Sequence, residues 1–215
     1  MRPRRASLSI FLLALLCLAG SGFGSTALSS SSTMVTLSES GSYTASGITI
    51  EGGLWLEGAY TDTLTISDSV TITGSDSVPG IYVPEGATLV INGTGTLIAA
   101  GGEYSAGIGG AHYAYGSGTD QDIAGTLKIE DSVTVVATGG YYAAGIGGGY
   151  NSEDSSNSYH ANGGSVYISG NATVTATGDS ATGGTVGWTG EGCGAGIGGG
   201  DMAQAGWLTS PGTRP

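Results

Sequence analysis

Hydrophobic residues along this chain come in short runs that alternate with polar ones. GITIEG (47–52), TLTISDS (63–69), VTITGS (70–75), TLKIEDS (126–132), VTVVATGG (133–140) and ATVTATG (172–178) are typical. Each has four or five residues of period two, rich in Val, Ile and Thr. Gly, Asn, Asp or Ser bounds most of them, and these are strand signals. No segment outside the N-terminal leader has a helical period of useful length. The pattern predicts an all-β chain.

The strands repeat as a unit. TLVINGTGTLIAAGGEYSAGIGG (88–110) aligns with TLKIEDSVTVVATGGYYAAGIGGG (126–149), and again with the stretch from SVYISGN to GAGIGGG (165–200). A degenerate copy precedes them at 63–83. Leu64, Leu89, Leu127 and Val166 take the same place, at steps of 25, 38 and 39 residues. The longer steps hold inserted loops at 111–124 and 150–163, and a third insertion falls at 179–193. A unit of three short strands cannot bury an apolar face alone, whereas stacked units can. The expectation is a β-helix, or β-solenoid, of about four coils. Its inward ladders would be Leu64/Leu89/Leu127/Val166, Ile66/Ile91/Ile129/Ile168 and Ile81/Ile108/Ile146/Ile197. In each AGIGG the isoleucine fills the core, and the glycines allow positive φ and close backbone approach. A phosphate loop is excluded by its chemistry. No Gly-Lys-Ser/Thr follows any copy, and no helix-like segment opens at the G-x-G-x-x-G of Gly194, Gly196 and Gly199.

Composition then narrows the setting. Residues 1–24 read as a secretory signal peptide: Arg2, Arg4 and Arg5 precede the apolar run Leu8 to Leu18. The expected place is therefore secreted, extracellular or at the cell surface, without membrane insertion once the signal is cleaved. Residues 25–34 form a Ser/Thr-rich leader, 35–208 the solenoid, and 209–215 a disordered tail. All 17 acidic residues follow Thr33, against Lys128 and Arg214 alone. Such a chain repels nucleic acid and anionic membranes. Cleavage leaves Cys193 as the one cysteine, so no internal disulfide or cysteine metal site is expected.

The three AGIGG copies, with the strands GTLKIEDSVTVVATGG and GGSVYISGNATVTATG that follow the loops, carry a family likeness. Over about residues 60–200 the chain resembles secreted bacterial surface proteins with AGIGGG repeats. The resemblance implies a right-handed parallel β-helix, often described as a carbohydrate-binding or cell-surface domain. It fixes fold more than activity, because β-helices host many functions. By that likeness another GGTxxI strand is expected after the third copy. DMAQAGWLTSPGTRP stands there instead, which reads as a truncated end.

Chemistry separates the remaining functions. Lyase-type β-elimination needs a cationic base, and the chain past its leader has one lysine and one near-terminal arginine. The acidic pairs Glu130-Asp131 and Glu153-Asp154 sit beside turns, where carboxylates are ordinarily solvated, so the chain reads as noncatalytic. No cofactor is expected. Calcium is the one metal considered, through oxygen ligands at Asp120, Asp122, Glu153 and Asp154 in two inserted loops. Glycan binding needs aromatic platforms. The loops hold Tyr104, His112, Tyr113, Tyr115, Tyr141, Tyr142, Tyr150, Tyr159, His160 and Trp188, with Tyr113, Tyr150 and Trp188 as the chosen platforms. The expected partner is a polysaccharide or cell-surface glycan, bound by a noncatalytic adhesion or binding protein. Rival readings are a structural stalk, a carbohydrate-active enzyme, and an ice-binding face. The last is suggested by Thr173, Thr175 and Thr177 but set aside because the aligned stretch reads Val135, Val136, Ala137.

Overall fold

The computed structural model describes residues 24–112, 124–150, 162–178 and 194–200, and the backbone of 207–209. Every regular element there is a strand, and every pairing between strands is parallel. Strands β1 (Thr26–Ala27) and β2 (Val35–Leu37) lead in. The first complete coil is β3 (Ser42–Ala45), β4 (Ile48–Glu51) and β5 (Leu54–Leu56). The second is β6 (Thr61–Ile66), β7 (Ser69–Thr73) and β8 (Ile81–Tyr82), and the third is β9 (Thr88–Gly93), β10 (Thr96–Ala100) and β11 (Ile108–Gly109). β12 (Thr126–Ile129), β13 (Thr134–Thr138) and β14 (Ile146–Gly147) make the fourth. β15 (Ser165–Ile168), β16 (Thr173–Thr177) and β17 (Ile197–Gly198) make the fifth, and β18 (Trp207–Thr209) pairs onto β15.

Strands in the same place in successive coils stack into three sheets. The first runs β1-β3-β6-β9-β12-β15-β18, the second β16-β13-β10-β7-β4 and the third β17-β14-β11-β8-β5-β2. The chain is a right-handed parallel β-helix. Because β1 pairs with β3, the first sheet begins inside the Ser/Thr-rich stretch. Among the described residues no helix is long and apolar enough to cross a membrane.

Alternation dictates the core. Leu54, Ile81, Ile108 and Ile146 pair in one inward column of the third sheet, all essentially inaccessible to water, and Ile197 continues it half-buried. Burying one such side chain is worth about 1.5–3 kcal/mol. The expected third ladder is thus present, with Leu54 and Val35 extending it.

The first sheet departs from the expected ladders by two residues at one joint. Leu89, Leu127 and Val166 pair as expected, and so do Ile91, Ile129 and Ile168. Leu64, however, lies beside Ile91, and Asp62 faces Leu89. A two-residue slip keeps the same face inward, so the alternation cannot reveal it. Its consequence is a carboxylate in an inward column. Asp62 is 1% exposed, and its Oδ1 accepts the Gly41 N–H at 2.9 Å. Burial raises its pKa above the usual carboxylate range, and the Gly41 hydrogen bond opposes that in part.

The second sheet also corrects the sequence alignment. Thr173, Thr175 and Thr177 face Thr134, Val136 and Thr138, not the consecutive Val135, Val136 and Ala137. Its outward positions form three columns: Ser69/Thr96/Thr134/Thr173, Thr71/Ile98/Val136/Thr175 and Thr73/Ala100/Thr138/Thr177. Threonine therefore persists across coils in the two outer columns.

Candidate functional site

The AGIGG segments build the corner from which the candidate site grows. Each closes on itself by one backbone bond. The Ala106 N–H donates to the Gly110 carbonyl at 3.0 Å, Ala144 to Gly148 at 3.1 Å and Ala195 to Gly199 at 3.1 Å. Pro79 holds the place of Ala106 one coil earlier and has no N–H to make this closure. Two glycines show why side chains are excluded. Gly109 and Gly147 have φ of 135° and 134°, and a Cβ on Gly147 would lie on the carbonyl oxygen of Gly198. The glycine richness is thus steric in origin.

The closure brings together residues on either side of the pentapeptide. Tyr104 precedes the third-coil closure by two residues and His112 follows it by two. Their ring centroids are 4.9 Å apart. In the fourth coil Tyr142 and Tyr150 take the same places, 5.3 Å apart. Stacking the coils stacks the pairs. Tyr104 and Tyr142 lie 6.4 Å apart with planes 8° from parallel, and His112 and Tyr150 lie 5.7 Å apart at 16°. Tyr141 packs edge-on against Tyr142 at 5.1 Å and Tyr104 at 6.1 Å, and stays 39% exposed. The Tyr150 N–H donates to the Tyr104 carbonyl at 2.8 Å, which fixes one coil against the next.

The tyrosine backbones are unusual. The Ser105 N–H donates to the Gly102 carbonyl, and Ala143 to Gly140, closing four-residue turns. Tyr104 and Tyr142 occupy the third position of these turns with φ of 64° and 58°. That position favours Gly or Asn, and a side chain there costs roughly 1–2 kcal/mol. The same left-handed tyrosine thus recurs at the same turn position in two successive coils.

Burial keeps the rings themselves uncharged, beside the exposed carboxylate of Glu103. His112 Nδ1 lies 3.2 Å from Ser77 Oγ, and the His112 backbone N–H donates to Oγ of the buried Ser105 at 3.1 Å. Burial lowers the His112 pKa, with Glu103 opposing. Burial also raises that of Tyr104, and the negative Glu103 adds to the effect. Imidazole and phenol are therefore both uncharged near neutral pH. The corner offers flat apolar ring faces with polar edges and no cation. Such a surface suits stacking against sugar C–H groups.

Of the chosen platforms, Tyr150 belongs to this cluster. Tyr113 and Trp188 lie outside the described residues, as do Asp120, Asp122, Glu153 and Asp154. Among the described residues no group of three or more His, Cys, Asp or Glu could hold a metal ion. Four other loop aromatics noted in the sequence, Tyr104, His112, Tyr141 and Tyr142, join Tyr150. Sequence reasoning missed a separate aromatic pair on earlier coils. Trp55 and Tyr82 stack 3.8 Å apart at 23° in an outward column of the third sheet. Alignment of GLWLEG with GIYVPEG would have found it, since both follow the same ladder position.

No protein-family model, curated protein or solved structure matches this chain. Its own geometry carries the functional reading.

Proposed function

We propose that this is a secreted or cell-surface, noncatalytic binding protein whose aromatic corner takes neutral polysaccharide. One observation carries the reading: two ring pairs, Tyr104 with His112 and Tyr142 with Tyr150, repeat in register on consecutive coils. Along the solenoid the equivalent rings lie 6.4 and 5.7 Å apart, somewhat wider than the about 4.7–4.9 Å between paired strands. A repeating surface of this kind suits a repeating ligand. An acidic chain whose uncharged rings stand beside Glu103 and no cation favours neutral sugars over polyanions. Binding is preferred to turnover because the rings sit on an outer corner with Tyr141 exposed. Catalysis instead calls for a concave site that shields the reacting groups. The signal-like N-terminus supports export, and the AGIGGG resemblance is in keeping with a surface role.

A panel of immobilised neutral and charged glycans tests the proposal. Binding to neutral β- or α-glucans or mannans, weakly dependent on salt, is the expected result. Absence of binding to every glycan would leave the structural-stalk reading in its place. Strong salt dependence with release by a chelator would point to calcium bridging by Asp120, Asp122, Glu153 and Asp154.

A further inference from the structure

The second sheet turns outward a face that the aromatic corner does not use. Across β7, β10, β13 and β16 eight of its twelve outward positions are threonine. The others are Ser69, Ala100, Val136 and Ile98, the last 40% exposed. None is charged, although the chain carries 17 acidic residues. Glu51 enters these columns only on β4, at the first-coil edge. The first sheet is not so restricted, since Lys128 and Tyr167 stand side by side in one of its outward columns.

Regular pairing makes this face a lattice. Neighbouring strands lie about 4.8 Å apart and alternate residues along a strand about 6.7 Å apart. Threonine and valine are stiff at χ1, so their methyl and hydroxyl groups hold fixed places in it. A charged side chain would hold its own strongly bound hydration shell. A neutral array of hydroxyls and methyls instead presents a periodic template to first-layer water, which bridges polar groups at little cost. The outermost positions span about 14 Å by about 13 Å, an area on the order of 200 Å². A stable interface with a second copy takes roughly 800 Å² from each partner. The face is too small for that and too uncharged for a charged partner.

We infer that the threonine face of the second sheet binds ice, a neutral water lattice periodic in two dimensions. The alignment that had set this reading aside used consecutive residues of one strand, whereas the pairing of Thr173 with Thr134 and Thr177 with Thr138 restores the columns.

Ice growth in the presence of the full chain tests it. Thermal hysteresis and inhibition of ice recrystallisation are expected. Ile98→Lys and Thr175→Lys place a charge in the middle column at solvent-facing positions. Each should abolish the activity with an unchanged melting temperature. Tyr141→Ala, at the aromatic corner, should leave it intact. No effect of the wild-type protein on ice overturns the inference, as does equal activity in the lysine variants. Association of two copies, or retention on a crystalline polysaccharide, that Ile98→Lys removes while ice growth is never affected would assign the face to those occupants instead.

Discussion

Tyr104 and Tyr142 stack 6.4 Å apart, nearly parallel, and both hold left-handed backbone at the same turn position of successive coils. Their relationship follows from the coil repeat. Each turn sets one ring at the corner, and parallel stacking sets the next ring over it. The left-handed backbone gives a direct check. Tyr142→Ala and Tyr142→Gly both lose the ring, but only alanine keeps a Cβ. The glycine variant should be the more stable by about 1 kcal/mol in chemical denaturation. Equal stability would mean that Tyr142 does not sit at positive φ.

The inward column of the third sheet sets a larger effect. Ile146→Asp places an unpaired charge between Ile108 and Ile197 and should cost several kcal/mol, on the order of 4 or more. Tyr141→Asp, at an exposed ring, should stay within about 1 kcal/mol. Thermal unfolding of both variants decides it, and comparable melting points would contradict the inward place of Ile146.

Gly147→Val tests the steric origin of the glycine-rich corner. Valine would meet the Gly198 carbonyl and a φ of 134°, and a loss of more than about 3 kcal/mol is expected. Thr49→Val, on an exposed strand position, should be nearly neutral. Native-like circular dichroism and melting in Gly147→Val would refute the close approach.

Asp62 gives a pH dependence with a definite sign. Its folded pKa is raised, so its contribution is favourable at low pH and lost as pH rises through that value. Asp62→Asn keeps an acceptor for the Gly41 N–H without the buried charge. The variant should melt higher than wild type at neutral pH, and the gap should close below about pH 4, where the unfolded carboxyl is also protonated. A gap that widens on acidification would contradict the desolvation of this carboxylate.

Much of the fold was legible because alternation and the AGIGG copies both point inward at the same isoleucines. The ladder through Ile81, Ile108, Ile146 and Ile197 was readable for that reason. The joint at Asp62 and Leu89 was not, because a slip of two residues leaves the polar–apolar pattern unchanged. The threonine columns were hidden by comparing neighbours along a strand, when only alternate residues share a face. At the candidate site, sequence placed tyrosines beside the AGIGG edge. Which rings meet depends on the closure from Ala106 to Gly110, a backbone bond that composition does not show. Trp55 and Tyr82 escaped notice because their coils carry no AGIGG copy.

The most direct measurement is a depletion assay on an insoluble neutral polysaccharide that the glycan panel selects. Wild type is compared with a Tyr141→Ala/Tyr150→Ala variant that retains its melting temperature. Wild-type retention with at least a tenfold loss in the double variant, or about 1.4 kcal/mol, is the expected result. Equal retention of the two proteins would contradict binding at the aromatic corner.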